Sequence, residues 1–382
     1  MRTNTDFDFD AIRPYRDEEV PAIANAIADD PLFPIVVNYL YPNADVEEFR
    51  SILRGIKSVN EFQMKIMHRA IRTIIDNSTD GVTFDGFDKM DDNPHVLIAN
   101  HRDIMLDSAI LDVMLVEHGK PTCQITFGSN LMKGDMVINI GKINKMFRIV
   151  RGGNIKDFYK NSLEVSAYMR HVITKEKESV WIAQRNGRTK DGCDKTEIGV
   201  LKMFSMSSNR PFIENMNELS FAPVSISYEF EPCDFLKTAE LYISRYQKYE
   251  KSENEDLNSI LHGIQQPKGR IHVSITEPIS LEELKICDQY EKNNKLVRLA
   301  EIIDKRIHEN YKLYPNNYIA HDLLFGENQY AELFYTKEEK QIFLEYMTNG
   351  IDALPIKAER HELVQLFLQI YANPVKVKQI YS

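Results

Sequence analysis

The sequence predicts an α/β protein: a layered, mainly parallel sheet flanked by helices, with helical extensions at both ends. Two observations carry this. From about residue 81, short β-like runs alternate with stretches of helical length, the pattern of strands joined by helical crossovers. Before residue 81 and after about residue 281, only helical periodicity is present. A chain of 382 residues is long enough for one large domain with additions, or for two domains.

Residues 1–80 read as an N-terminal helical region. Asp17-Glu18-Glu19 opens one amphipathic segment, and Asp45 to Ile56 and Glu61 to Ile75 give two more. The apolar, aromatic run PLFPIVVNYLYP (31–42) is broken by proline, and core packing is its expected fate, with contact to a lipid surface or partner as the alternative. Residues 81–280 form the α/β domain. Its strand candidates are VTF (82–84), HVLIAN (95–100), CQITFG (123–128), FRIV (147–150), SVWIAQ (179–184) and FAPVSIS (221–227), with IHVSITEPI (271–279) as a last one. Met105 to His118 and Lys156 to Thr174 have helical length and spacing, while SENEDLNS (252–259) reads as a polar loop. Residues 281–382 are helical again, over Leu281–Leu284, Asn294–Tyr311, Lys337–Met347 and His361–Tyr371. No clean linker separates the regions, so the helical ends are expected to pack on the α/β core.

Net charge of −10 argues against a general nucleic-acid binder. The N-terminus lacks the apolar core of a signal peptide. The longest uncharged run, Pro31 to Ala44, is 14 residues with three prolines, short of the roughly 20 apolar residues that a spanning helix needs. The four cysteines, Cys123, Cys193, Cys233 and Cys287, form no CxxC, and a reducing cytoplasm is the simplest setting.

In parallel sheets, sites lie beyond the C-terminal ends of strands. Three motifs occupy such places. In Asn100-His101-Arg102-Asp103-Ile104-Met105-Leu106-Asp107, a histidine follows a β-like run and an aspartate follows it at a helix start. A carboxylate that fixes the imidazole tautomer makes such a pair a general base; the plain alternative is a structural histidine with Asp103 as N-cap. In Phe147-Arg148-Ile149-Val150-Arg151-Gly152-Gly153, an arginine meets two glycines, which suits an anion. The polar loop Gln184-Arg185-Asn186-Gly187-Arg188-Thr189-Lys190-Asp191-Gly192 offers Arg185, Arg188 and a lysine to a phosphate, with glycines for a tight turn. Between Lys133 and Lys195, 14 Lys and Arg face 7 Asp and Glu, a local +7 that leaves −17 for the rest of the chain. A basic island in an acidic protein favours an anionic ligand; a merely solvated basic face is the alternative.

These motifs, in this order, resemble the glycerolipid acyltransferase family, which includes glycerol-3-phosphate and 1-acylglycerol-3-phosphate acyltransferases. The resemblance covers roughly residues 81–230: VTFDGFDKM leads in, VLIANHRDIMLD is similar to the first block, FRIVRGG to the second, RNGRTKDG to the third and FAPVSISYE to the fourth. It implies a transfer of a fatty acyl chain from an acyl thioester, on acyl carrier protein or coenzyme A, to a hydroxyl of an anionic lipid precursor in phospholipid synthesis. His101 would be the general base and Asp107 its orienting partner. Arg151 and Arg188 would hold the acceptor phosphate, with Arg185 and Asn186 in the same loop. Gly187 would permit the turn, and Pro223 would shape the acyl-proximal strand. No metal or further cofactor is implied. The expected location is cytoplasmic, with peripheral contact at the inner face of the cytoplasmic membrane.

Two departures bear on this. Five residues separate His101 from Asp107 where the family has four, and in an unbroken helix the extra residue would turn Asp107 away by about 100°. The pair survives if the extra residue lies in the loop before the helix, with Asp103 as its cap. The third-block glutamate is here Asn186, which keeps hydrogen bonding but no charge. Two further readings therefore stand beside the first: O-acylation of an N-acyl amino-acid lipid, and a non-catalytic protein that binds an acyl carrier or lipid.

Overall fold

The computed structural model describes residues 7–131, 133–150, 154–326 and 328–381. Seven strands form one sheet: β1 (Val82–Asp85), β2 (Val96–Ala99), β3 (Gln124–Gly128), β4 (Met146–Ile149), β5 (Val180–Ala183), β6 (Phe221–Tyr228) and β7 (Ile271–Ile275). Their order is β1-β7-β6-β2-β5-β3-β4. The block from β6 to β4 is parallel; β7 runs antiparallel to β6, and β1 parallel to β7. The α/β class and the mainly parallel sheet are as the sequence predicts, and IHVSITEPI supplies a strand only over its first five residues.

The central strands read as unbroken apolar runs because both faces are covered. Every residue of β2 and β6 is buried. Alternation sorts their side chains between two layers. Leu97 and Ala99 join Ile110, Met114 and Trp181 on one face, where helices Leu106–Glu117 and His68–Ser78 pack. Val96 and Ile98 join Phe147, Met169, Ile182 and Phe221 on the other, under helices Ile155–His171 and Ile198–Ser205. Helix Asn294–Asn310 packs in that second layer through Leu299, Ile303 and Ile307.

Helices Pro315–Phe325, Lys337–Asp352 and Arg360–Tyr381 form a separate apolar cluster. It is tied to the rest through Asp234, whose Oδ2 accepts from the hydroxyls of Tyr346 at 2.9 Å and Tyr371 at 2.6 Å. The sequence pattern does not signal the first of these helices, and it stops the last one short of Pro374, which the helix in fact contains.

Two segments differ from expectation. The run 31–42 is not broken: it forms helix Phe33–Leu40, with Pro34 in the first turn, where no backbone donor is needed. Only Phe33 and Val37 are buried there, while Leu32, Ile35, Val36 and Tyr39 are exposed, so core packing accounts for only part of its apolar surface. The polar stretch 252–259 is not all loop; helix Glu255–Gln265 starts inside it, with Glu255 and Asp256 in its first turn, where the helix dipole favours negative charge. Among the described residues no single helix is long and apolar enough to cross a membrane; Val20–Asp29 and Phe33–Leu40 pass that test only as a pair, bent by 83°.

Candidate active site

Register places Ala99 of β2 beside Ala183 of β5 and Val224 of β6, and the three strands run parallel, so their C-terminal ends point to one end of the sheet. Asn100 comes next on β2. It is fully buried and stitches β2 to β6, its Oδ1 accepting from Ile226 N–H at 2.8 Å and its Nδ2 donating to Ile226 C=O at 3.0 Å. His101 comes after it, at the surface of a cleft.

His101 Nδ1 lies 2.8 Å from Asp107 Oδ2. The carboxylate is buried and accepts three more bonds: Arg102 N–H at 2.7 Å and Asp103 N–H at 3.0 Å on Oδ2, and the Tyr228 hydroxyl at 2.7 Å on Oδ1. A carboxylate so supplied with donors is held as an acceptor, so Nδ1 carries the proton and Nε2 keeps its lone pair toward the cleft. The six-residue separation works because helix Leu106–Glu117 starts only at Leu106. Asp103 Oδ1 caps it, accepting from Met105 N–H at 2.9 Å and Leu106 N–H at 2.8 Å. The extra residue is thus absorbed in the loop. The Trp181 ring meets the imidazole edge-on with centroids 5.7 Å apart. Burial and the neighbouring Asp107 carboxylate push the Asp103 carboxyl above its usual range.

The cleft, about 460 Å³, is lined by His101, Ile104, Arg185, Asn186, Gly187, Arg188, Lys190 and Lys251, among others. The loop after β5 forms one wall. Gln184 N–H continues the ladder to Ala99 C=O at 2.8 Å, and Thr189 N–H donates to His101 C=O at 2.7 Å, pinning the loop against the histidine. Gly187 sits at φ 78°, in the left-handed region. Arg185 Nε and Arg188 Nη1 are buried and have no hydrogen-bond partner among the described residues, while the rest of the Arg188 guanidinium lies against the Cys233 thiol and near the Asp103 carboxyl. The other cations are committed: Lys251 to Asp256 at 2.6 Å, and Lys190 to Glu240. Asn186 is exposed, and its N–H donates to Glu197 Oε2 at 3.2 Å.

The same loop is anchored from beneath by a buried ion network. Arg102 binds Asp194 at 2.5 Å and Glu231 at 3.0 Å, and Lys237 binds Glu231 at 2.5 Å and the Arg102 carbonyl at 2.8 Å. Two cations and two anions balance there. Asp194 Oδ1 also accepts from Thr189 Oγ1 at 2.6 Å.

Of the residues singled out from sequence, His101, Asp107, Arg185, Asn186, Gly187 and Arg188 therefore meet around one cleft. Arg151 and the two glycines after it lie outside the described residues. The basic island does not form one face. Lys145 pairs with Glu178 at 3.1 Å, and Arg170 is buried with Glu218, neither lining the cleft. Sequence reading does not find Tyr228 or the Arg102 network. Tyr228 is marked only as the polar end of an apolar strand; Arg102, next to a site histidine, carries no such mark.

A larger cleft, about 560 Å³, opens at the opposite end of the strands, beside Gln124, Lys145 and Glu178. Lys145 pairs with Glu178 within it, and Arg13 and Lys120 pair outward with Glu19 and Asp92. Among the described residues no group of three or more His, Cys, Asp or Glu is placed to hold a metal ion.

No family model matches the sequence, and no curated protein matches it. The solved structure of the 1-acyl-sn-glycerophosphate (LPA) acyltransferase PlsC from Thermotoga maritima aligns over 76% of this chain and 94% of its own, at 12% identity and a TM-score of 0.38, a likeness too distant to assign this chain a family or a substrate.

Proposed function

We propose that this protein is an O-acyltransferase that moves a fatty acyl chain from acyl carrier protein or coenzyme A to a hydroxyl of an anionic lipid precursor, with glycerol 3-phosphate and 1-acylglycerol 3-phosphate as the leading acceptors. One observation carries the reading: a His101–Asp107 pair, tautomer fixed, faces a cleft in which two arginines have buried donors without protein partners among the described residues. A guanidinium with such donors suits phosphate or carboxylate oxygens.

In the proposed reaction Arg185 and Arg188 hold the acceptor's anionic group and bring its hydroxyl to His101, which removes much of the entropic cost of encounter. Nε2 takes the hydroxyl proton as the oxygen attacks the thioester carbonyl. Asp107 stabilises the imidazolium that results. The tetrahedral adduct then collapses, the C–S bond breaks, and the imidazolium returns the proton to the departing thiolate. Ester and free thiol are the products, and His101 is restored.

The test is a product-mass assay. Purified protein meets a long-chain acyl thioester with glycerol 3-phosphate, 1-acylglycerol 3-phosphate or an N-acyl amino acid in parallel, as wild type and as His101→Ala. The expected result is an ester from a phosphate-bearing acceptor, reduced by about 10²–10⁴-fold in the variant. An ester of the N-acyl amino acid alone would reassign the acceptor. Ligand binding without any product, from folded protein, would replace catalysis by a carrier- or lipid-binding role.

A further inference from the structure

We propose that the first two turns of helix Ile155–His171 are a docking tip for an anionic lipid bilayer, an inference that rests on the acyltransferase reading for its lipid partner. Residues 154–160 are all exposed, whereas Val165 to Arg170 of the same helix are buried in the core. The helix thus starts outside the body and runs into it. Ile155 is 88% exposed, Phe158 63% and Tyr159 59%. Their spacing of three and four residues puts them on one side of the helix. Water is a poor setting for three such side chains in two turns.

Charge identifies the occupant. Lys156 and Lys160 lie one turn apart beside the apolar side chains, and neither has an ion pair among the described residues. The one acid in these turns, Asp157, is engaged in the capping box with Asn154. Glu164 lies one turn beyond Lys160 and faces its charge. Aromatic and aliphatic side chains that enter the headgroup boundary, with lysines reaching phosphates around them, are the chemistry of an interfacial helix on acidic lipid. An acidic protein would also satisfy the lysines; a bilayer in addition closes around an exposed apolar tip.

Position gives the tip a purpose. β4 is parallel to β3 and β5, so the end from which the chain leads to residue 154 is the end of the sheet that carries the His101 cleft. Docking would hold the cleft at the lipid surface, where an acylated product leaves the water.

The experiment is vesicle co-sedimentation of the full chain with phosphatidylcholine alone and with added phosphatidylglycerol, at low and high salt. The expected result is binding that needs the anionic lipid and weakens with salt. Ile155→Ser with Phe158→Ser should weaken it by about tenfold to a hundredfold, and Lys156→Gln or Lys160→Gln by about fivefold each. The melting temperature should not move, because these side chains are exposed. Binding unchanged in the Ile155/Phe158 variant, or lost instead in Ile35→Ser on the exposed face of helix Phe33–Leu40, overturns the proposal. So does a tip that retains an acidic acyl carrier protein but no vesicle. The two readings fail separately: tip-dependent vesicle binding with no acyl transfer under any condition sinks the enzyme reading alone, and acyl transfer with tip-independent vesicle binding sinks this one alone.

Discussion

Asp107→Asn isolates the charge of the proposed base pair from its geometry. Two backbone donors, Arg102 N–H at 2.7 Å and Asp103 N–H at 3.0 Å, converge on Oδ2. In the variant they hold the amide oxygen at that position, so His101 Nδ1–H keeps its acceptor. The amide NH₂ then faces the Tyr228 oxygen, which can accept. The tautomer survives and only the negative charge is lost. With the ring and carboxylate charge centres about 4 Å apart and an effective dielectric near 20, that charge contributes about 4 kcal/mol to an imidazolium. At 1.36 kcal/mol per decade the expected loss in kcat/KM is about 10³-fold. The assay is thiol release from the acyl thioester with saturating acceptor, alongside thermal melting. Tyr228→Phe calibrates it: one bond to Oδ1 is removed, and about threefold to tenfold is expected. A fall of less than tenfold in Asp107→Asn, with the melting temperature kept, would mean that no imidazolium forms beside Asp107 in the limiting step, and the general-base reasoning would be refuted.

Three further perturbations test other parts of the structure. Arg188→Gln should raise KM for the anionic acceptor by about tenfold to a hundredfold, the worth of a hydrogen bond to a charged group, with the donor's KM unmoved; a change in the donor's KM instead would place that guanidinium on the thioester. Gly192→Ala should lower the melting temperature sharply, because the residue sits at φ 77° and the new Cβ would lie 2.2 Å from Ile370 C=O, so an unchanged melting curve would contradict that close approach. Asp234 tests pH. Burial pushes its carboxyl up to about 7, although the Tyr371 and Tyr346 hydroxyls oppose the shift. A carboxyl raised on folding contributes stability that is full below its unfolded value of about 4 and is lost as pH rises through 7. Asp234→Asn has no proton to lose, so in urea unfolding its stability relative to wild type should rise by roughly 3 kcal/mol between pH 5 and pH 8; an equal difference at both values would show that Asp234 does not titrate there.

Local pattern alone is enough for the strand–helix alternation, because a strand covered on both faces must be apolar throughout and a crossover helix must come after it. VLIA at 96–99 and VWIA at 180–183 announce the two central strands and, with them, the strand ends where His101 and Arg185 stand. The helix at 33–40 and the start at Glu255 escape the pattern because proline and acidic residues look like breakers until their place in a first turn is known. The basic island misleads for a different reason. Summed charge along a chain ignores direction, and Arg170 and Lys145 point to partners that do not line the cleft.

The α/β class, the strand ends and the residue types gathered there follow from the residues alone, since these come from burial periodicity and from what each side chain can do. Which of them act together is set by the folded arrangement. Six residues of separation left the His101–Asp107 pair undecided, because its distance depends on where the helix begins; Asp103 starts that helix at Leu106 and brings the two to 2.8 Å. Tyr228, 121 residues beyond Asp107, reaches its other oxygen only because β6 lies beside β2 in the sheet. Arg102 finds Asp194 and Glu231 in the same way, from the loop after β5 and the segment after β6. Such contacts are set by sheet order and register, which are properties of strands far apart in sequence, and no local pattern encodes them.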